Sequence, residues 1–196
     1  MPPQRLILAS TSRYRQELLS RLRLPFEVVA PDVDEAALPG ETPAALAQRL
    51  ASAKAHAVAA LHPQAVVIGS DQVCDLDGQA LGKPGTHERA QVQLRRLAGR
   101  RAVFHTAVAV LRGQPAFAQV QIAAVGVHFR TLSEADIESY LQLDEPYDCA
   151  GSAKSEALGI VLVAAIESDD PTALIGLPLI RTAQMLREAG IDSLTP

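Results

Sequence analysis

Short apolar runs alternate with amphipathic stretches along nearly the whole chain. Arg5 to Ala9 ends in four apolar residues that stop at Ser10, the pattern of a buried strand. Ser12 then stands where a helix cap belongs, and Leu18, Leu19 and Leu22 share one side of a helix running to about Leu22. Phe26 to Ala30 reads as a second strand, broken by Pro31. Thr42-Pro43 opens a helix to about Leu61, since Pro is favoured at the first helical position. Its apolar stripe is read as Leu46, Leu50, Ala53, Ala57 and Leu61.

Ala65 to Gly69 is a second uninterrupted apolar run, and as a buried strand it delivers Ser70-Asp71-Gln72 at its far end. Asp75 to Gly78 carries hairpin-turn residues, and Thr86 to Leu97 is helical. Val103–Leu111 and Ala116–Phe129 are long β segments around a turn at Gly113. Ser133 and Asp136 have capping-box spacing for a helix to Leu141. Ile160 to Ala165 reads as a last strand. Thr172 to Ala189 reads as a helix broken near Gly176-Leu177-Pro178 and closed by Gly190. Strands interleaved with helices, plus two long antiparallel candidates, predict an α/β fold with a mixed sheet. The working assignment is one domain over 1–196, with Gly99 the only boundary worth testing.

The charge balance narrows the partners. The formal net charge is −4, with seven aromatic residues and no Trp. No basic stripe appears, which argues against long nucleic acid. No run approaches the roughly 20 apolar residues of a membrane span, and the N-terminal segment is too short in apolar residues for a signal peptide. A cytoplasmic protein is therefore expected. Cys74 and Cys149 read as two free thiols, and the five scattered histidines form no metal-binding pair. Among 18 cationic side chains only three are Lys, at 54, 83 and 154. They are either surface accidents or places that want a compact point charge rather than a planar fork.

Several polar groups interrupt this frame. Ser10-Thr11-Ser12-Arg13-Tyr14-Arg15 carries hydroxyls and backbone N–H groups from a strand into a helix start, which is an anion site or an ordinary Ser cap. Arg13 and Arg15 diverge on that helix, so one of them is expected to face the site. Asp71 follows an apolar strand, where a carboxylate can hold a divalent ion, orient a water, or simply end a turn. Gly82-Lys83-Pro84 is not a P-loop, because its spacing is short and Pro replaces the Ser or Thr. Lys54 falls about 40–60° from the centre of its helix's apolar stripe, where a Lys can snorkel. Asp32, Asp34 and Glu35 form an acidic loop, fit for a metal or for solvent.

Taken in order, these residues resemble a known family. Leu8-Ala9-Ser10-Thr11-Ser12-x-x-Arg15, the loop ending Asp34-Glu35, Lys54, Gly69-Ser70-Asp71-Gln72-Val73, Gly82-Lys83-Pro84 and Gly176-Leu177-Pro178 resemble the signature of Maf-like nucleoside triphosphate pyrophosphatases. The resemblance runs from Leu6 to about Gly190 and implies an elongated mixed β-sheet flanked by helices, with two lobes around a cleft. It implies cleavage of a nucleotide between its α- and β-phosphates, with Asp71 as general base. Glu35 and Asp71 would hold a divalent cation, Mg²⁺ or Mn²⁺. Ser10, Ser12, Arg15, Lys54 and Lys83 would bind the triphosphate. Gln72 and Lys154-Ser155-Glu156 resemble the branch acting on 7-methyl-GTP, so Tyr14, Gln72 and Glu156 are expected to set specificity, with Lys154 near the base pocket. Arg13 and Tyr14 depart from the Pro and Trp common at their positions. The same chemistry on dTTP, UTP or other non-standard nucleotides, or a nucleotide-binding regulator of septum formation, are the alternatives. The oligomeric state, a homodimer included, stays open.

Overall fold

The computed structural model describes residues 4–194. Met1–Pro3, part of the segment read above for an export signal, lie outside them. No helix of the described residues is long and apolar enough to cross a membrane.

One seven-stranded mixed sheet organises the chain. The strands are β1 (Leu6–Ala9), β2 (Glu27–Val28), β3 (Val66–Leu76), β4 (Gln79–Leu81), β5 (Arg101–Arg112), β6 (Phe117–Phe129) and β7 (Val163–Glu167). Their order is β2-β1-β3-β5-β6-β7, with β4 paired to β3. β1 is parallel to both β2 and β3, and the remaining pairs are antiparallel. The α/β class with a mixed sheet is therefore the architecture found.

Four helices begin where a side-chain cap places them. Ser12 accepts from the Arg15 N–H at the start of α1 (Arg13–Ser20), and Thr42 with Pro43 opens α2 (Pro43–Ala59). Thr86 caps α3 (His87–Leu97). Ser133 and Asp136 form the reciprocal capping box of α4 (Glu134–Asp144). The β3–β4 hairpin turns on Asp77 and Gly78 with φ of 55° and 79°, the two left-handed positions of a type I′ turn. α5 (Leu179–Glu188) follows the break at Gly176-Leu177-Pro178.

Period-two alternation along the strands splits the core. Ile7, Ala9, Val67, Ala107 and Ala109 face α2 on one side of the sheet. Leu6, Leu8, Val66, Ile68, Val108 and Val110 face α1 and α5 on the other. Further along that second side, Leu76, Phe104, Val125 and Val127 pack under α3 and α4. Burying a residue such as Ile7 or Leu8 contributes about 1.5–3 kcal/mol. Two groups of helices thus sit at opposite ends of one long sheet, and a cleft lies between these lobes.

Three readings need correction. β3 does not end at Gly69: it continues through Ser70-Asp71-Gln72 to Leu76, paired to β5 throughout, so Asp71 sits opposite Ala107 in mid-strand. The buried face of α2 is Leu46, Ala47, Leu50, Ala51, Lys54, Ala55 and Val58, whereas Leu61 is exposed. Lys54 is therefore central on that face and not at its flank. Ile160–Leu162 belongs to a 3-10 turn over Leu158–Leu162, which shifts the last strand to Val163–Glu167.

Candidate active site

The cleft exists because β3 changes neighbours. β1 pairs with β3 only as far as Gly69, and β4 joins only from Cys74. On that edge residues 70–73 have no strand beside them, and a cavity of about 620 Å³ opens there. Alternation sends Asp71 to the α2 face and Ser70 and Gln72 to the opposite face. Asp71 is thus at a gap in the sheet while remaining inside a strand.

Gly69 sets the distance from α2. A Cβ there would stand 2.2 Å from the Ala51 carbonyl oxygen and 2.6 Å from the Ala55 nitrogen, so only Gly lets α2 lie this close. The approach puts Lys54, 6% exposed, beside Asp71, 9% exposed. Lys54 Nζ donates to Asp71 Oδ1 at 2.6 Å and lies 2.6 Å from Glu35 Oε1. Asp71 Oδ2 takes no hydrogen bond among the described residues. The Lys54 ammonium holds the Glu35 carboxyl below the usual carboxylate range, against the partial burial that raises it.

The loop carrying Glu35 is tied down by Arg49, which sequence reading missed. Arg49 donates to both Glu41 oxygens at 2.6 and 2.9 Å and to the Ala36 carbonyl at 2.8 Å. The Leu38 N–H also donates to Glu41. Arg49 holds the Glu41 carboxyl low, to a pKa of about 2, with the Leu38 N–H acting in the same direction. The eight-residue separation of Glu41 and Arg49 matches no local pattern, since their pairing depends on how the loop folds back over α2.

The N-terminus of α1 forms the next wall. Thr11, Ser12, Arg13, Tyr14 and Arg15 all line the cavity, and the two arginines diverge as expected: Arg13 is exposed and turns to Tyr14, while Arg15 turns inward. Arg15 Nε donates to the Gly176 carbonyl at 2.9 Å, and Ser70 Oγ donates to the same oxygen at 3.1 Å. Burial lowers the Arg15 pKa, opposed by the charges of Asp71 and Glu35. Ser10 is behind this wall, not on it. Its hydroxyl, 4% exposed, accepts from the Ser12 N–H at 3.2 Å and from Arg15 at 3.4 Å, so it braces the turn. Lys83 lines the cavity from the loop after β4, exposed and without an ion pair among the described residues.

Tyr14, Gln72, Asp148 and Glu156 line the same cavity. The Gln72 amide nitrogen donates to Thr106 Oγ1 and to the Ala173 and Leu174 carbonyls, at 2.9–3.0 Å. Two backbone carbonyls require the NH₂ on that side, so Gln72 can offer a ligand only its carbonyl oxygen. Glu156 makes no ion pair among the described residues, and loss of water around its carboxyl raises its pKa. Lys154 is not on this wall. Its ammonium donates to the Asp144 and Glu145 carbonyls at 2.9 and 3.4 Å, capping the end of α4. Asp148, on a loop without regular pattern, was not found from sequence.

Among the described residues no group of three or more His, Cys, Asp or Glu converges on one point. Glu35 and Asp71 do face each other across the Lys54 ammonium, and two carboxylates with phosphate oxygens are a donor set that suits a small hard cation.

Fold and cleft together define an α/β protein with paired carboxylates beside a cationic wall and a helix N-terminus. The chain belongs to the Maf-like protein family, which matches residues 5–189. It is 62% identical over 191 residues to a protein of Albidiferax ferrireducens named 7-methyl-GTP pyrophosphatase, covering 97% of this chain and 96% of that one. A Polaromonas protein of the same name is 63% identical over 186 residues, covering 95% of this chain and 85% of that one. Among solved structures, the Staphylococcus aureus Ham1 protein aligns with a TM-score of 0.48 at 19% identity, over 64% of this chain and 72% of that one.

Proposed function

We propose that this chain hydrolyses 7-methyl-GTP between the α- and β-phosphates, releasing 7-methyl-GMP and pyrophosphate, with a divalent cation bound by Glu35 and Asp71. The observation that carries the reading is the convergence of Asp71, Lys54 and Glu35 at the gap in the sheet, in a cavity also lined by Arg15, Lys83, Tyr14 and Glu156. The names borne by relatives at 62% and 63% identity support the same reading.

The chemistry follows from what each side chain can reach. Asp71 has one oxygen occupied by Lys54 and a second, Oδ2, to take a proton from water. That water attacks the α-phosphorus, the bond from the α-phosphorus to the bridging oxygen breaks, and pyrophosphate leaves with the electron pair. Lys54, Arg15 and Lys83 neutralise charge that develops on the phosphoryl oxygens. The backbone N–H groups at the start of α1 favour an anion there. A bound Mg²⁺ or Mn²⁺ would add Lewis-acid stabilisation of the leaving pyrophosphate. Ser12 contributes from the rim of the wall, and Ser10 acts through Ser12 and Arg15.

Tyr14, Glu156 and Gln72 account for a preference for a methylated guanine. N7 methylation makes the ring cationic, and Tyr14 presents an aromatic face suited to a planar cation. Glu156 can accept from the guanine N1–H and amino group while its charge favours the cation. Gln72 Oε1 offers a further acceptor.

Pyrophosphate release from 7-methyl-GTP, GTP, UTP and dTTP, each with Mg²⁺ and Mn²⁺, tests this. The highest kcat/KM is expected for 7-methyl-GTP, with no turnover after chelation of the metal. A preference for UTP or dTTP would overturn the base assignment, and orthophosphate as the primary product would overturn the reaction.

A further inference from the structure

We propose that Arg13 is a specificity-determining residue: it occupies one aromatic face of Tyr14 in the free protein, and a planar cationic base stacking on that face must displace it. This rests on the reading that the nucleotide base lies against Tyr14. Arg13 is the first residue of α1, and its guanidinium carbon lies 4.8 Å from the centroid of the Tyr14 ring, well inside cation–π range. Its NH2 group also donates to the Tyr14 hydroxyl at 2.8 Å, so ring and hydroxyl hold it together. Arg13 forms no carboxylate ion pair among the described residues. Both side chains line the cavity that also holds Asp148 and Glu156.

A guanidinium and an N7-methylated guanine share their chemistry, since each is a flat, delocalised, weakly hydrated cation. One ring face cannot carry both, and the displaced Arg13 remains close enough to repel a second positive charge. A neutral guanine suffers no such repulsion. Arg13 therefore lowers the preference for a cationic base below what Tyr14 and Glu156 alone would give.

Two substitutions keep the helix. Arg13→Ala removes the guanidinium. Arg13→Pro is compatible with the backbone, because the first helical position leaves its N–H without a partner and Ser12 is already extended at ψ 118°. The experiment measures kcat/KM for 7-methyl-GTP and GTP in the wild-type protein and both variants at one metal and salt concentration. The ratio of 7-methyl-GTP to GTP is expected to rise about three- to tenfold in both variants, carried by a lower KM for 7-methyl-GTP. A ratio unchanged or lowered in both variants overturns the proposal. So does a KM that rises for both nucleotides, which would place Arg13 on the phosphates. A wild-type preference for GTP would instead overturn the base assignment, while the change of ratio on substitution still decides the role of Arg13.

Discussion

Lys54→Met takes the positive charge out from between two carboxylates and leaves a side chain of nearly the same length. Met refills the volume on the buried face of α2, so packing changes by less than about 1.5 kcal/mol. The loss is the ammonium 2.6 Å from both Asp71 and Glu35. Stranding one partner of a fully buried pair costs about 3–5 kcal/mol. Here the Glu35 side chain is 57% exposed and Asp71 borders the cleft, so water relieves much of that penalty. A cost of about 1–2 kcal/mol remains, and in a chain of 196 residues it lowers Tm by roughly 2–8 °C. The effect on rate is larger, because a charge positioned where the transition state builds negative charge is worth about 2.7–4 kcal/mol, or 10²–10³-fold. Pyrophosphate release per folded molecule, measured well below both melting points, should fall by that factor alongside the modest Tm shift. A Tm loss beyond about 10 °C with a rate within about threefold of wild type would refute the reasoning, leaving Lys54 as a structural counter-ion only.

Other substitutions separate the base, the cationic wall and the scaffold. Asp71→Asn keeps the shape of the side chain and should lower turnover about 10²–10⁴-fold, and near wild-type turnover would remove Asp71 from the chemistry. Lys83→Ala should leave stability within about 0.5 kcal/mol while lowering kcat/KM about tenfold or more, to be read from melting and kinetics together. Gly69→Ala forces α2 away from β3 and should cost about 1–3 kcal/mol in urea unfolding, and an unchanged midpoint would mean the helix shifts freely. The Glu41 pKa is depressed in the folded state, so its pairing with Arg49 stabilises above the ordinary carboxylate pKa of 4.5 and is lost as pH falls toward about 2. In acid titrations of wild type and Glu41→Gln, the stability difference should close over that window, and a constant difference would contradict the assignment.

Much of the fold was legible because local signals agreed with the global one. Ser12, Thr42, Thr86 and Ser133 each name a helix start, and Asp77-Gly78 names a hairpin. The errors have physical causes. Alanine fits either face of a helix, so the alanine-rich α2 gave an ambiguous stripe. What fixed its phase was Gly69 on another element, which admits Ala51 and Ala55 and carries Lys54 inward. Ser70-Asp71-Gln72 looked like a strand end because its polar side chains serve the cleft, while the backbone keeps pairing with β5. Of the residues singled out beforehand, Ser12, Tyr14, Arg15, Glu35, Lys54, Asp71, Gln72, Lys83 and Glu156 line one cavity. Ser10 and Lys154 stand behind it as braces. Arg49 and Asp148 were invisible because their places depend on loops whose path no periodicity encodes.

The central claim is that water attacks the α-phosphorus, and isotope placement tests it most directly. Hydrolysis of 7-methyl-GTP in ¹⁸O-labelled water, followed by mass spectrometry of the products, should put one labelled oxygen on 7-methyl-GMP and none on pyrophosphate. Label in the pyrophosphate would place the attack at the β-phosphorus and contradict the account.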